Sequence, residues 1–109
     1  MRHCLCLDLK DDPTIIQQYE EWHRHVWPEI IDSIRQSGIL SMDIYRSGNR
    51  LFMIMETNEA FSFDVKNQAD QSNSKVQEWE QLMWKFQQPL PFAKPGEKWV
   101  VMQNIFSLH

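Results

Sequence analysis

The chain has 109 residues, and we expect residues 1–109 to form one domain. The net charge is −4 and the basic residues are scattered, so nothing predicts binding to nucleic acid or to an anionic membrane. No apolar run approaches the roughly 20 residues of a membrane helix, and the start MRHCLCLDLKDD becomes charged too early for a signal peptide. We therefore expect a cytoplasmic protein.

The first predicted element is a strand over residues 3–9, with its leucines on one face and its two cysteines on the other. Cys4 and Cys6 are neighbours at i, i+2, which is a poor geometry for a disulfide. We interpret them as small hydrophobic residues in a reducing cytoplasm, because too few further ligands lie nearby for a metal site.

A helix follows the strand. Asp12 can cap its amino terminus, and Pro13 suits the first helical position because no hydrogen bond is lost there. We expect the helix to run to about Gly38, a typical helix stop. Pro28 interrupts this stretch, so we expect the helix to be kinked or divided at that point.

Residues 39–46 and 50–57 are predicted to form a hairpin around the turn sequence Ser47-Gly48-Asn49. Alternation along the two strands assigns their side chains to opposite faces of the sheet. One face carries Ser41, Asp43, Tyr45, Phe52, Ile54 and Glu56, and the other carries Met42, Ile44, Met53 and Met55.

The second half of the chain predicts two helices and one strand. A weak helix spans residues 60–69, and a stronger one begins at Ser72 or Ser74 and continues through KVQEWEQLMWKF. Residues 88–97 contain three prolines and are predicted to be irregular. Residues 97–107 are predicted to form the last strand.

The order β-α-β-β-α-β predicts a ferredoxin-like α+β fold, with an antiparallel sheet and helices on one face. The second face of such a sheet would be apolar and exposed in a monomer. Pairing two sheets would bury it, so we expect a homodimer of the α+β-barrel type.

The stretch YEEWHRHVWPE contains two of the four histidines, His23 and His25. On a helix they point about 160° apart, so a zinc site is not expected. His23 lies one turn after Tyr19 on the apolar side, whereas His25 lies near Glu21 and Glu29. An imidazole beside a phenol suits acid–base chemistry near neutral pH, although a histidine on an apolar face is also commonly a core residue.

Three carboxylates, Asp8, Asp43 and Glu56, lie in otherwise apolar strands. If Asp43 and Glu56 face the helices, they could orient His23 or bind ligand hydroxyls; the alternative is that they lie near solvent at strand ends. Trp79 lies at a helical spacing that is usual for a core residue.

Several short motifs resemble one known family in order and spacing over nearly the whole chain. They are Tyr19-x-x-x-His23, the WPE of residues 27–29, Gly38 before a strand ending Ile44-Tyr45, LFMIME at 51–56, and VQEW at 76–79 followed by LM. Together they resemble the L-rhamnose mutarotases, which are small dimeric proteins with a ferredoxin-like fold.

This resemblance implies that His23 is the proton donor and that Tyr19 and Trp79 contact the sugar. Two positions depart from the rhamnose pattern, because Met42 replaces a tyrosine and Glu80 replaces a second tryptophan. The implied activity is the interconversion of the α and β anomers of a 6-deoxy sugar of the L-rhamnose or L-fucose class. This reaction needs no metal or cofactor, and Asp43 is a further candidate for binding a sugar hydroxyl.

Two other functions fit the same order of elements. A dimeric α+β-barrel oxygenase or haem-binding protein would use a pocket histidine for iron or for an oxidisable substrate. A non-catalytic sugar-binding module would hold the ligand without exchanging its anomers.

Overall fold

The computed structural model describes residues 1–109 and contains five strands and four helices. They are β1 (Arg2–Leu9), α1 (Pro13–His23), α2 (Pro28–Gln36), β2 (Ile39–Ser47), β3 (Arg50–Thr57), α3 (Phe63–Gln71), α4 (Ser74–Trp84), β4 (Gln87–Gln88) and β5 (Val100–Val101). None of the helices is long and apolar enough to cross a membrane.

All strand pairs are antiparallel, and β1 lies at the centre of the sheet. The strand order is β2-β3-β1-β4, and β5 also pairs with β1. The last strand of the chain, β5, pairs with β1 and not with β4, which precedes it in sequence. This arrangement confirms the predicted ferredoxin-like α+β fold.

The hairpin register agrees with the predicted faces. Met42 lies opposite Met55, and Asp43 lies opposite Ile54. Met53 and Met55 belong to the buried core, so their side of the sheet faces the helices. We call the opposite side the outer face; it carries Cys4, Ser41, Asp43, Tyr45, Phe52, Ile54 and Glu56.

The predicted interruption at Pro28 divides the helix and does not merely bend it. α1 ends at His23, residues 24–27 form a turn, and Pro28 begins α2. Proline disfavours helical backbone in the residue before it, and Trp27 accordingly has an extended ψ of 138°. The missing N–H of Pro28 costs nothing at the first position of a new helix.

The other helix ends follow local capping. The Asp12 side chain accepts hydrogen bonds from the backbone of Thr14 and Ile15, as predicted. α3 starts at Phe63, later than predicted, because the Ser62 side chain caps it. Asn73 caps α4, which ends at Trp84 and not at Phe86.

The prediction of a last strand over residues 97–107 is wrong in extent. Only Val100 and Val101 form β5, and the pairing ends with the Met102 N–H donating to the Cys4 carbonyl at 2.7 Å. A strand needs a partner strand as well as an alternating pattern, and residues 103–109 have none within this chain. The two-residue strand β4 was not predicted.

Two buried clusters fill the space between the sheet and the helices. The larger one contains Leu9, Tyr19, Ile30, Leu51, Val76, Trp79, Met83 and Phe86. The smaller one contains Leu5, Ile39, Met53 and Met55. The larger cluster joins β1 to α1, α2 and α4, and it therefore fixes the position of the carboxyl end of α1.

Candidate functional site

Tyr19 and His23 lie on successive turns at the end of α1, and their ring centroids are 4.3 Å apart. The Nδ1 of His23 lies 2.9 Å from the backbone carbonyl of Tyr19. A carbonyl oxygen can only accept a hydrogen bond, so Nδ1 carries a proton and donates it. The neutral ring therefore keeps the lone pair of Nε2 free, which is what a general base requires.

Burial keeps His23 neutral. Its ring is half-buried, and the resulting loss of hydration lowers the pKa of His23 below its ordinary value of 6.5. The hydrogen bond to the Tyr19 carbonyl opposes this effect in part. The imidazole is thus uncharged at neutral pH and can accept a proton there.

The surroundings of Tyr19 keep its hydroxyl protonated. It is 3% exposed, and burial raises the pKa of Tyr19 to about 12 although a hydrogen bond from Gln87 lowers it. The Nε2 of Gln87 donates that hydrogen bond to the phenolic oxygen at 3.4 Å. The hydroxyl therefore remains protonated at any physiological pH and can act as a hydrogen-bond donor.

Three tryptophans extend the site from the core to the surface. The ring of Trp79 meets that of His23 at 5.8 Å, that of Trp27 at 5.1 Å and that of Trp22 at 6.4 Å, all edge to face. Trp79 is buried, whereas Trp22 is 36% exposed. The aromatic cluster therefore surrounds the imidazole with apolar rings on one side and reaches solvent through Trp22.

The structure thus brings together three of the predicted site residues: Tyr19, His23 and Trp79. The fourth, Asp43, is exposed on the outer face and is not brought together with His23. Strand alternation is the reason, since Met42 faces the helices and its neighbour must face away.

The remaining carboxylates of interest are engaged elsewhere. Glu56 also lies on the outer face, where it accepts a hydrogen bond from Arg2 at 2.8 Å. Asp8 is 6% exposed and accepts one from Arg50 at 2.8 Å. Neither carboxylate orients His23.

His25 lies outside the site, as expected from helical geometry. Its side chain is 79% exposed, and its Nε2 is 3.8 Å from a carboxylate oxygen of Glu21.

The two positions that depart from the rhamnose pattern are both half-buried. Met42 packs against the smaller core cluster on the helix-facing side of the sheet. Glu80 lies on α4 one residue after Trp79, and its carboxylate accepts a hydrogen bond from Gln77 at 3.4 Å.

Sequence reasoning did not identify Gln87, Trp22 or Trp27 as site residues. Trp22 and Trp27 flank the two histidines in YEEWHRHVWPE, but no sequence pattern distinguishes them from core residues. Gln87 follows the buried Phe86 at the end of the predicted helix, and this position gives no sign of function.

Two open hollows on the surface lie away from these residues. One is lined by Tyr45, Arg46, Ser47, Asn49, Arg50 and Phe52, and the other by residues of α1 and the hairpin turn. We place the site at His23 because a half-buried imidazole and a buried phenol adjoin there, whereas neither hollow contains a histidine.

Comparisons with known proteins agree with this fold. A crystal structure of an L-rhamnose mutarotase from Formosa agariphila superposes with a TM-score of 0.73, covering 100% of this chain and 99% of that one at 19% identity. Tetracenomycin F2 cyclase from Streptomyces glaucescens superposes with a TM-score of 0.65, covering 100% and 97% at 16% identity. At these identities the two structures establish the fold alone.

The sequence comparisons identify the family as well as the fold. The L-fucose mutarotase of Xanthomonas campestris pv. campestris is 47% identical over 98% of this chain and 87% of its own length. The family model described as L-rhamnose mutarotase matches residues 2–108. The resemblance noted from the motifs is confirmed, and the chain belongs to the L-rhamnose mutarotase family.

Proposed function

We propose that this sugar mutarotase interconverts the α and β anomers of L-fucose, with His23 as the acid–base residue. The observation that carries the proposal is the pair of Tyr19 and His23, in which Nε2 of a neutral imidazole is left free beside a protonated phenol. The oxygenase or haem-binding alternative and the non-catalytic alternative are not favoured by the family to which the chain belongs.

The reaction needs one proton to move between two oxygens of the sugar. Nε2 of His23 accepts the proton of the anomeric hydroxyl as the bond between C1 and the ring oxygen breaks, and it then delivers that proton to the ring oxygen. The Tyr19 hydroxyl donates a hydrogen bond that stabilises the negative charge developing on the ring oxygen. Rotation about C1–C2 followed by the reverse steps gives the other anomer.

The aromatic cluster suits a 6-deoxy sugar. A Trp79 ring face or edge beside the imidazole can contact the apolar side of the pyranose and its methyl group. L-fucose is favoured over L-rhamnose because the relative that is 47% identical is an L-fucose mutarotase. The departures at Met42 and Glu80 from the rhamnose pattern also support this choice.

The substrate is tested by measuring anomer exchange by saturation-transfer NMR on L-fucose, L-rhamnose and D-glucose under identical conditions. We expect the increase over the uncatalysed rate to be greatest for L-fucose and least for D-glucose. A greater increase for L-rhamnose would overturn the substrate, and no increase for any sugar would overturn the function.

The catalysed rate should fall on the acid side of neutrality. Only neutral His23 can accept the anomeric proton, and its pKa lies below 6.5, so the rate should be constant from about pH 7 to pH 9 and decline below the ordinary pKa of histidine. Tyr19 titrates only at about 12 and gives no alkaline decline in this range. The measurement is exchange NMR against pH after subtraction of the buffer rate; a midpoint above 6.5 would contradict the assignment.

We also propose that the protein is a homodimer in which the outer faces of two sheets meet. Tyr45 on this face is 59% exposed, and Ile54 and Phe52 are only half-buried. A small protein with this much exposed apolar surface on one sheet face is stabilised when a two-fold axis pairs the face with its own copy.

Light scattering after gel filtration should therefore give twice the 13.1 kDa mass of one chain. Ile54→Asp places a charge in the centre of the outer face and should shift the mass to that of one chain. Val65→Asp, at a position that is 64% exposed on α3, is the matched control and should remain dimeric. A wild-type protein with the mass of one chain at micromolar concentration would disprove the dimer.

We further place the protein in the cytoplasm. Its two cysteines are unpaired, which suits a reducing compartment. Subcellular fractionation tests this location, and recovery with extracytoplasmic proteins would contradict it.

A further inference from the structure

Gln87 is a buried polar side chain that has no part in the proton transfers described above. It is 5% exposed. It lies in β4 directly after the buried Phe86, and its partner on β1 is Leu9. Burying an amide among apolar side chains costs free energy unless the amide forms hydrogen bonds. Its bond to the Tyr19 hydroxyl is the one side-chain hydrogen bond in the protein between two buried partners.

This bond restricts what the Tyr19 hydroxyl can do. A phenolic oxygen has one proton and can also accept, so a free tyrosine serves as donor or acceptor. Here Nε2 of Gln87 is the donor and the phenolic oxygen is the acceptor. The hydroxyl proton must then point away from Gln87, and the hydroxyl can donate it to a second partner.

We propose that Gln87 is a positioning residue, which holds the Tyr19 hydroxyl as a hydrogen-bond donor to the ring oxygen of the sugar. The chemistry of that atom explains why such a residue is needed. A pyranose ring oxygen has only lone pairs and must receive a hydrogen bond, whereas the sugar hydroxyls can also donate. Without Gln87, the phenol could turn and accept from a hydroxyl, which gives no stabilisation to the ring oxygen as the ring opens. This inference rests on the proposed function of the site.

The hydrogen bond can be tested without any sugar. The chain has two tyrosines, Tyr19 and Tyr45, so labelling tyrosine with ¹³C at Cζ gives two signals, which Tyr45→Phe assigns. Gln87→Met, which is similar in size but cannot donate, should shift the Tyr19 signal and leave the Tyr45 signal unchanged. Gln88→Met is the matched control, since Gln88 is exposed on the same strand, and it should shift neither signal.

The positioning role is tested by kinetics on the same variants, with their fold checked by circular dichroism. Gln87→Met should lower kcat about three- to tenfold, which corresponds to one lost hydrogen bond, and should change KM by less than about twofold. The reason is that the bond to the ring oxygen strengthens in the transition state. Gln87→Glu keeps the shape but presents acceptor oxygens, and it should lower kcat at least as much. Gln88→Met should retain wild-type kinetics.

The outcomes separate this inference from the proposed function. An unchanged Tyr19 signal in Gln87→Met overturns the hydrogen bond, and full kcat in Gln87→Glu overturns the donor role of Gln87. A shifted signal with an unchanged kcat overturns the positioning role while the mutarotase activity stands. Absence of anomer exchange in the wild type overturns both.

Discussion

Replacement of His23 by alanine should abolish nearly all catalysed anomer exchange. The substitution removes the only imidazole in contact with the Tyr19 ring and the Trp79 ring. A positioned acid–base residue contributes about 10²–10⁴-fold to a rate, so the catalysed increment should fall by that factor toward the buffer rate. Saturation-transfer NMR on L-fucose measures it directly, because exchange between anomers transfers saturation from one C1 proton signal to the other.

His25→Ala is the matched control for this experiment. It removes the other histidine of the same stretch, whose side chain is 79% exposed and pairs only with Glu21. We expect anomer exchange within about twofold of the wild type, since replacing so exposed a side chain usually changes the stability of a protein little. Wild-type exchange in a folded His23→Ala protein would show that the proton is carried by another group.

Replacement of Leu9 by alanine should destabilise the fold by about 2–5 kcal/mol, the usual cost of a cavity left by a buried leucine. Leu9 is 0% exposed and belongs to the larger core cluster with Tyr19 and Trp79. Since small proteins have a total free energy of unfolding of about 5–15 kcal/mol, this loss is a large fraction of the stability. Urea denaturation followed by tryptophan fluorescence gives the change in the free energy of unfolding.

Leu40→Ala controls for the same change of side chain at the surface. Leu40 is 71% exposed on β2, and its truncation should change the free energy of unfolding by less than about 0.5 kcal/mol. A loss below about 1 kcal/mol at Leu9 would mean that the core closes around the missing atoms and that the larger cluster is not tightly packed.

Much of the fold could be predicted because the informative patterns were local. The alternation along the hairpin predicted both faces of β2 and β3, and Asp12 with Pro13 predicted the start of α1. The extent of β5 could not be predicted in this way. An alternating sequence states which side chains share a face, but it does not state whether a neighbouring strand has free hydrogen-bonding groups at that point.

In the candidate site, too, the local contacts could be predicted and the long-range contacts could not. Tyr19 and His23 are four residues apart on one helix, so their proximity follows from helical geometry alone. Trp79 joins them through packing between helices, and only the family resemblance indicated it. Gln87 reaches Tyr19 across 68 positions of sequence through a strand of two residues, and no local pattern reports such a contact. Whether Asp43 faces the site depends on which side of the sheet the helices cover, and the alternating pattern of its strand does not state this.

Because Pro28 divides the helix, Tyr19 and His23 lie on a short helix that depends on the rest of the fold. α1 has 11 residues and α2 has 9, and isolated helices shorter than about 12–15 residues are marginal in water because nucleation is costly. A peptide carrying Tyr19 and His23 would therefore not hold the two rings together outside the protein. The pair is assembled only when the whole sheet and its helices form, so the fraction of chains able to transfer the proton equals the fraction that is folded.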